Sequence, residues 1–259
     1  MLSPEALVAR ARAAGVTVLS VTDHDTIAGL AMARDAATRA GIMFVNGIEI
    51  TAIEDERDVH VLGYFFDPDD SQLAHFLAHQ RDDRVRRLHD IVSRLGQIGY
   101  RIDVDRVFVA ARESGRSVGR PHIADALVAA GHATDRSDAF NRLIGANGLA
   151  FVPRRGRSAA EVVSVIRAAG GIASLAHPGL TRRDDLIPAL AAAGLTAIEA
   201  RHGDHDAVME AHYRALAARH GLAVTGGSDF HSDGDHHAGT LGTIGLPAED
   251  FAALQERLP

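Results

Sequence analysis

Residues 16–26, VTVLSVTDHDT, decide how the rest of the chain is read. Six residues of mostly β-branched and apolar character have the composition of a buried strand. They run directly into Asp23, His24 and Asp25, two carboxylates with an imidazole between them. Asp25 and Thr26 have a plain explanation as caps of the next helix, because such side chains accept the free N–H groups of a first turn. Asp23 and His24 have none. What matters is whether other strands end in the same way.

Upstream, Ser3, Pro4 and Glu5 mark the start of a helix that Gly15 ends. Downstream, a second helix is expected over about Ile27–Ala40, stopping at Gly41. The strand IMFVNGIEI then leads to Glu49 and Thr51, and after the polar turn EDERD another strand, VHVLGYFF, starts around His60. From about Ser71 to Asn147 the periodicity is helical, through QLAHFLAHQRDDRVRRLHDIVSRLGQIG, VDRVFVAARESG, PHIADALVAAG and SDAFNRLIG. Strand–helix alternation resumes at Gly148 with AAEVVSVIRAAGG, GIASLAHPG, DLIPALAAAG, LTAIEARH, DAVMEAHYRALAARHG and LAVTGGSDFH. The pattern predicts an α/β fold built on a parallel sheet or barrel from residues 1–70 and 148–259, with residues 71–147 as an inserted all-helical cap domain.

The bulk composition narrows the function. Of 259 residues 46% are hydrophobic and 24% charged, an ordinary soluble globular balance. A net charge of −7 argues against broad binding to long nucleic acid. There is no Cys, which excludes disulfides and thiolate metal sites, and no Trp. Neither an 18-residue apolar run nor a basic-then-apolar leader is visible, so a cytoplasmic location is expected and no membrane partner. The 15 histidines are the notable count, since imidazole is the commonest metal ligand.

The other strands do end in the same way. Asp23-His24, Glu49, His177-Pro178, His202 and Asp229-Phe230-His231 all stand just past strand patterns, and His60 lies near the loop from Glu49. In parallel α/β folds functional groups gather at the carboxyl ends of strands. One such His is ordinarily structural or solvated, but five strands delivering His or carboxylate to one rim form a cluster that is costly without cations. A site for several metal ions relieves that cost. His75 and His79 are spaced like a helical metal pair but sit among Gln, Arg and Asp; they, His89, His132, His212 and His220 read as solvated. His205 reads as surface, and His236 and His237 as part of a mobile polar loop, SDGDHHAG.

At these residues the chain resembles the PHP family, named for polymerase and histidinol phosphatase. The matching pieces are TDHDT (22–26), GIEIT (47–51), HVLGYFFD (60–67), AGGIASLAHPG (169–179) and GSDFH (227–231). GRPHIADALVAAG (119–131) and FVPRRGRS (151–158) are similar to the branch that acts on nucleoside 3′,5′-bisphosphates and short oligoribonucleotides. The resemblance implies a distorted (β/α)7 barrel with two or three divalent ions, Mn, Fe or Zn. Carried over, Glu49 bridges two ions, His60 and His177 complete the second site, Asp229 belongs to the first, and His24 with His231 to the third. Family members also have a first strand ending in His-x-His, then Asp-Gly before the helix matching residues 4–14. Met1 stands about where the residue after that Asp-Gly falls. The expectation is therefore a barrel with its first strand missing, one nearly complete site (Glu49, His60, His177), two impaired ones and fewer ions. An internal Met taken as the start, a truncated chain and a real loss of the strand each account for this.

The implied chemistry is hydrolysis of a phosphate ester of a small nucleotide by metal-bound hydroxide, extending to short RNA from the 5′ end. Glu49 and His202 are the catalytic candidates, His202 by contacting phosphate or protonating the leaving group. Asp23 and Asp25 are candidates for orienting ligand histidines. Arg120, His122 and Arg154 are substrate-binding candidates, because arginine offers a bidentate fork to phosphate. The alternatives are a phosphatase of another small metabolite such as histidinol phosphate, and a catalytically impaired barrel serving as a binding protein.

Overall fold

The computed structural model describes residues 2–113, 118–232 and 236–259, leaving aside the side chains of 110–113. Ser114 and Gly115 of the expected helix VDRVFVAARESG, and Asp233 to Asp235 of SDGDHHAG, fall outside the described residues. The chain divides into two compact units, one formed by Met1–Glu54, Asp58–Phe76 and Arg157–Pro259, the other by Asp55–Arg57 and Leu77–Gly156. In chain order the elements are α1 (Pro4–Ala13), β1 (Val18–Val21), α2 (Leu30–Ala40), β2 (Met43–Glu54), β3 (Arg57–Tyr64) and α3 (Ser71–Gln97). Then come α4 (Val104–Glu113), α5 (Arg120–Ala129), α6 (Arg136–Ala139), α7 (Ala159–Ala168), β4 (Ile172–Leu175), α8 (Pro178–Thr181) and α9 (Ile187–Ala192). Finally β5 (Ala197–Arg201), α10 (Ala207–Arg219), β6 (Ala223–Gly226) and α11 (Ala248–Gln255) complete the chain.

The first unit is a mixed α/β fold around a curled six-stranded sheet with its strands in sequence order. β1 and β2 are parallel, pairing Val18 with Met43 and Val21 with Asn46. β3 runs antiparallel to β4, with Val61 opposite Leu175, and β4, β5 and β6 are parallel to one another. Ser3 caps α1, its Oγ accepting the Ala6 N–H at 3.2 Å, and Pro4 opens the helix. Apolar residues spaced along α1 and α2 meet beside β1: Val8, Ala11, Leu19, Ala36, Ala37 and Ile42 form one buried cluster. All four residues of β4 are buried, and its one polar side chain, Ser174, is hydrogen-bonded to Thr225 Oγ1 at 2.7 Å.

Two local expectations differ from the structure. α2 begins at Leu30 and its N-terminal flank is Gly29, with no side-chain cap, so Asp25 and Thr26 do not cap it. β2 does not end at Glu49 but runs on to Glu54, with residues 47–52 all buried. The polar run after Ile53 marks a turn only at Asp55 and Glu56, both in the left-handed region (φ +48° and +63°).

In the second unit α3 presents Leu88, Ile91 and Leu95 at helical spacing to Val107, Ile123, Leu127, Leu143 and Ile144, which together form its buried core. Arg87 Nε donates to the Val152 carbonyl at 2.9 Å and Arg94 donates to the Phe151 carbonyl, tying residues 151–152 to α3.

Gly47 shows how tightly β1 and β2 are matched, because a Cβ there would lie 2.1 Å from Ser20 Oγ and 2.8 Å from the Val21 carbonyl. G47A is expected to destabilise the protein by about 1–3 kcal/mol through overpacking. G96A, at an open position inside α3, is expected to stabilise it by about 0.5–1 kcal/mol. Urea denaturation of the two variants beside the parent checks both signs.

Candidate metal centre

After β1 the chain stays in register with β2 for three more residues. The Glu49 N–H donates to the Asp23 carbonyl at 3.2 Å and the Asp25 N–H to the Glu49 carbonyl at 2.8 Å, so His24 lies beside Glu49. Asp25 then turns away with φ +52°, and its buried carboxylate accepts the Thr51 N–H at 2.8 Å. Asp25 thus clamps the β1 exit to β2, which is what this carboxylate does in place of capping a helix.

Three imidazoles converge on the Glu49 carboxylate. His60 Nδ1 is 2.7 Å and His177 Nε2 3.1 Å from Oε1, and His24 Nδ1 is 3.5 Å from Oε2. His60 arrives from β3, whose antiparallel course places its early residues beside the end of β4, where His177 emerges. His60 Nδ1 and His177 Nε2 are themselves 3.2 Å apart. The three donor atoms therefore form a triangle with sides of 2.7, 3.1 and 3.2 Å. Neighbouring ligands of an ion with bonds of about 2.1 Å are spaced at about 3 Å, so this donor set fits a divalent cation.

Backbone strain accompanies the site. His177 (φ +24°) and Asp229 (φ +46°) join Asp25 in the left-handed region that non-glycine residues rarely adopt. The His177 turn is held by its own N–H, which donates to Glu199 Oε2 at 2.8 Å. Glu199, buried in β5, was not singled out from the sequence, although a lone acid inside the apolar run LTAIEA is a visible anomaly.

A second cluster lies past β5 and β6. His202 is buried; its Nδ1 accepts the Asp204 N–H at 3.1 Å and its Nε2 faces Asp229 Oδ2 at 3.4 Å. A backbone N–H at Nδ1 favours the tautomer with its proton on Nε2, and the His202 ring also lies with Asp229 and His237 in a group of three donors close enough to hold a metal ion. His237 contradicts the expectation of a mobile surface loop: it is buried, with Nε2 3.0 Å from Asp204 Oδ2 and Nδ1 3.6 Å from Asp229 Oδ2. His205 is likewise half-buried rather than surface. Its Nδ1 bonds the Ala200 carbonyl at 2.9 Å, its Nε2 accepts the Gly179 N–H at 3.1 Å, and it stacks on Tyr213. No local pattern announces these two; each depends on how loops from different strands meet.

His231 lies beside His24, their ring centroids 6.1 Å apart, and its Nδ1 bonds the Asp229 carbonyl at 2.8 Å. His75 and His79 of α3 belong to no three-donor group among the described residues. In the second unit, the Arg120 guanidinium lies over Phe140 at 5.6 Å, and His122 Nδ1 accepts the Gly119 N–H at 3.2 Å at the start of α5. Arg120 and Arg154 line a cavity of about 200 Å³ there with Arg84, Arg87, Leu88 and Phe140.

The electrostatics match a site built for cations. Burial pushes the Glu49 carboxyl up, but hydrogen bonds from His177 and His60 and the nearby charge of His24 outweigh it and hold it well below the usual range. Burial works against a charged His177, yet its bond to Glu49 and the charges of Glu199, Glu49 and Asp229 raise it to about 9. Burial lifts Glu199 to about 7 although His202 and His177 oppose this. Asp229 is lowered against its burial, chiefly by its contact with His202. His202 is raised against burial by its contact with Asp229 and by the charges of Glu199 and Asp229. Protons here occupy the places of cations, and the two compete for the same ring nitrogens.

Carboxylates and imidazoles gathered at the strand ends of an α/β sheet define the class of metal-dependent hydrolases. No family model matches the chain. It is 34% identical over 240 residues to the 3′,5′-nucleoside bisphosphate phosphatase of Chromobacterium violaceum, covering 90% of this chain and 84% of that protein. It is 34% identical over 235 residues to the phosphoribosyl 1,2-cyclic phosphate 1,2-diphosphodiesterase of Eggerthella lenta, covering 88% and 87%. To the 5′-3′ exoribonuclease Rnm of Escherichia coli it is 32% identical over 246 residues, covering 89% and 80%. A solved structure from Bifidobacterium adolescentis, assigned to the metal-dependent phosphoesterases, superposes with a TM-score of 0.86 at 34% identity, covering 100% of this chain and 92% of that one. The chain belongs to the PHP family of metal-dependent phosphoesterases, and it is a hydrolase. No helix among the described residues is long and apolar enough to cross a membrane.

His177→Ala removes one corner of the donor triangle and is expected to lower bound metal in the purified protein, whereas His79→Ala leaves it unchanged. Elemental analysis of both variants checks this. E199Q, which keeps an acceptor for the His177 N–H, is expected to retain metal affinity within a few fold, while E199A loses about 10- to 100-fold. Titration with Mn²⁺ separates the pair.

Proposed function

We propose that the protein hydrolyses a phosphate monoester of a small nucleotide, a nucleoside 3′,5′-bisphosphate, and acts on short oligoribonucleotides from the 5′ end. The observation that carries the reading is the Glu49–His60–His177 triangle, joined to the chain's similarity to the C. violaceum bisphosphate phosphatase over 84% of that protein. In this reading the sheet follows a distorted (β/α)7 barrel plan, and the inserted helical unit is a cap domain contributing substrate contacts.

Glu49, His60 and His177 would hold one divalent ion, and His24, Asp229 and His231 would serve as ligands of up to two more, of Mn, Fe or Zn. Such ions supply Lewis acidity towards phosphoryl oxygens and activate water for attack. The chain's own groups position these events. Asp25 fixes the β1 exit that presents His24, and Asp23 holds the register of that exit with Glu49 through its carbonyl. Glu199 fixes the turn that aims His177. His202 presents Nε2–H as a donor to a phosphoryl or leaving oxygen, worth most where water is excluded. Arg120, His122 and Arg154 bind phosphate, the guanidiniums as forks and His122 through Nε2, since Nδ1 is taken by Gly119.

A second reading, hydrolysis of a phosphoribosyl 1,2-cyclic phosphate, draws on the equal identity to the E. lenta enzyme. The deciding assay offers the protein with Mn²⁺ adenosine 3′,5′-bisphosphate and, separately, the cyclic substrate. Inorganic phosphate released from the bisphosphate is the expected result, and none from it overturns the proposal. R154A is expected to raise KM for the bisphosphate about 10- to 100-fold with kcat less affected, as for a lost charge-assisted hydrogen bond. Steady-state kinetics of the variant checks that split.

A further inference from the structure

Outside the Glu49 triangle, Asp204 gathers two imidazoles on one oxygen. His237 Nε2 is 3.0 Å and His236 Nε2 3.6 Å from Asp204 Oδ2, and the three donor atoms all lie within 4.8 Å of one another. The two rings lie side by side with centroids 3.8 Å apart. The pair differs in exposure: the His237 side chain is 4% exposed and that of His236 69%.

The arrangement is built rather than incidental. Thr240 Oγ1 donates to the Ser228 carbonyl at 2.7 Å, and the Thr240 N–H donates to the His237 carbonyl at 3.0 Å, anchoring His237 to the segment that bears Asp229. Gly203, just before Asp204, leaves the room the ring needs, because a Cβ there would lie 2.9 Å from His237 Cδ2. The inner nitrogen of His237, Nδ1, faces Asp229 Oδ2 at 3.6 Å. A neutral imidazole has a single N–H and satisfies only one of the two carboxylates it lies between. A cation at Nε2, shared with Asp204, leaves Nδ1–H for Asp229, the carboxylate–imidazole–metal order found around bound metals.

We infer that Asp204, His236 and His237 form a separate, solvent-accessible site for a divalent transition-metal ion. Two imidazoles and one carboxylate suit Zn²⁺ or Co²⁺ over Mg²⁺ or Ca²⁺, with solvent completing the coordination. The exposure of His236 makes the ion exchangeable, and His237 links its occupancy to Asp229, a proposed ligand of the catalytic ions. Ion binding here is thus coupled to the catalytic centre through one ring.

The test uses His236, which has no part in the hydrolytic machinery. Equilibrium dialysis against Co²⁺ is expected to show one equivalent fewer at saturation in H236A than in the parent, while the equivalents that depend on His177 remain. Loss of the His177-dependent ions would bear on the proposed function and not on this site, so the two failures are distinguishable. The chain has no Cys, so H236C introduces a single thiol. With Co²⁺ this variant is expected to show a thiolate-to-cobalt charge-transfer band absent from the parent. Equal equivalents in H236A and the parent, or no such band in H236C, overturns the inference.

Discussion

The Glu49 carboxylate, buried and shared by three imidazoles, is the constraint around which the first unit is arranged. A buried carboxylate is tolerable only when it is hydrogen-bonded and its charge is answered. Answering it demands residues from three segments of chain besides β2 itself. β1 must stay in register past its own end so that His24 reaches it, and β3 must run against β4 so that an early residue of one strand meets the exit of the other. Strand direction, register and the position of the Asp55–Glu56 turn are therefore all felt at one oxygen pair.

The same demand explains where strain is stored. Asp25, His177 and Asp229 each take a left-handed backbone at the exit of a strand, and each is fixed by or fixes a site contact. The Asp25 carboxylate grips β2, and Glu199 grips the His177 backbone, so two buried carboxylates hold the chain in these costly conformations. Glu199 does so from a fully buried position close to two histidines, where its own charge is opposed by burial. The site is thus two layers of acid around imidazole, stabilised by positive charge whether protons or metal ions carry it.

Much of this is legible in the amino-acid order. The excess of His and acid at strand ends in TDHDT, AHPG, ARH and GSDFH marks a metal-dependent site, and the helical periodicity of residues 71–147 marks a stretch with no strand among its described residues. Glu49 is picked out by the sequence, but its setting is not: an acid after the apolar run IMFVNGI suggests a strand end, whereas β2 continues to Glu54 with residues 47–52 buried. Asp25 looks like a helix cap because capping chemistry and strand clamping use the same residue types. His205, Asp204 and His237 give no signal, since a histidine in a polar loop has the same sequence whether its ring is solvated or packed.

Residue order by itself determined the α/β alternation, the helical middle of the chain and the collection of ligand-bearing strand ends, because hydrophobic period and chemical type are local properties. Tertiary structure alone decided which of those ends meet at one carboxylate. Only the folded sheet brings His60 Nδ1 and His177 Nε2 to 3.2 Å across 117 positions of chain, and only loop packing buries His237 between Asp204 and Asp229. Such distances depend on register and on contacts between remote segments, for which no single stretch, VTVLSVTDHDT included, carries a mark.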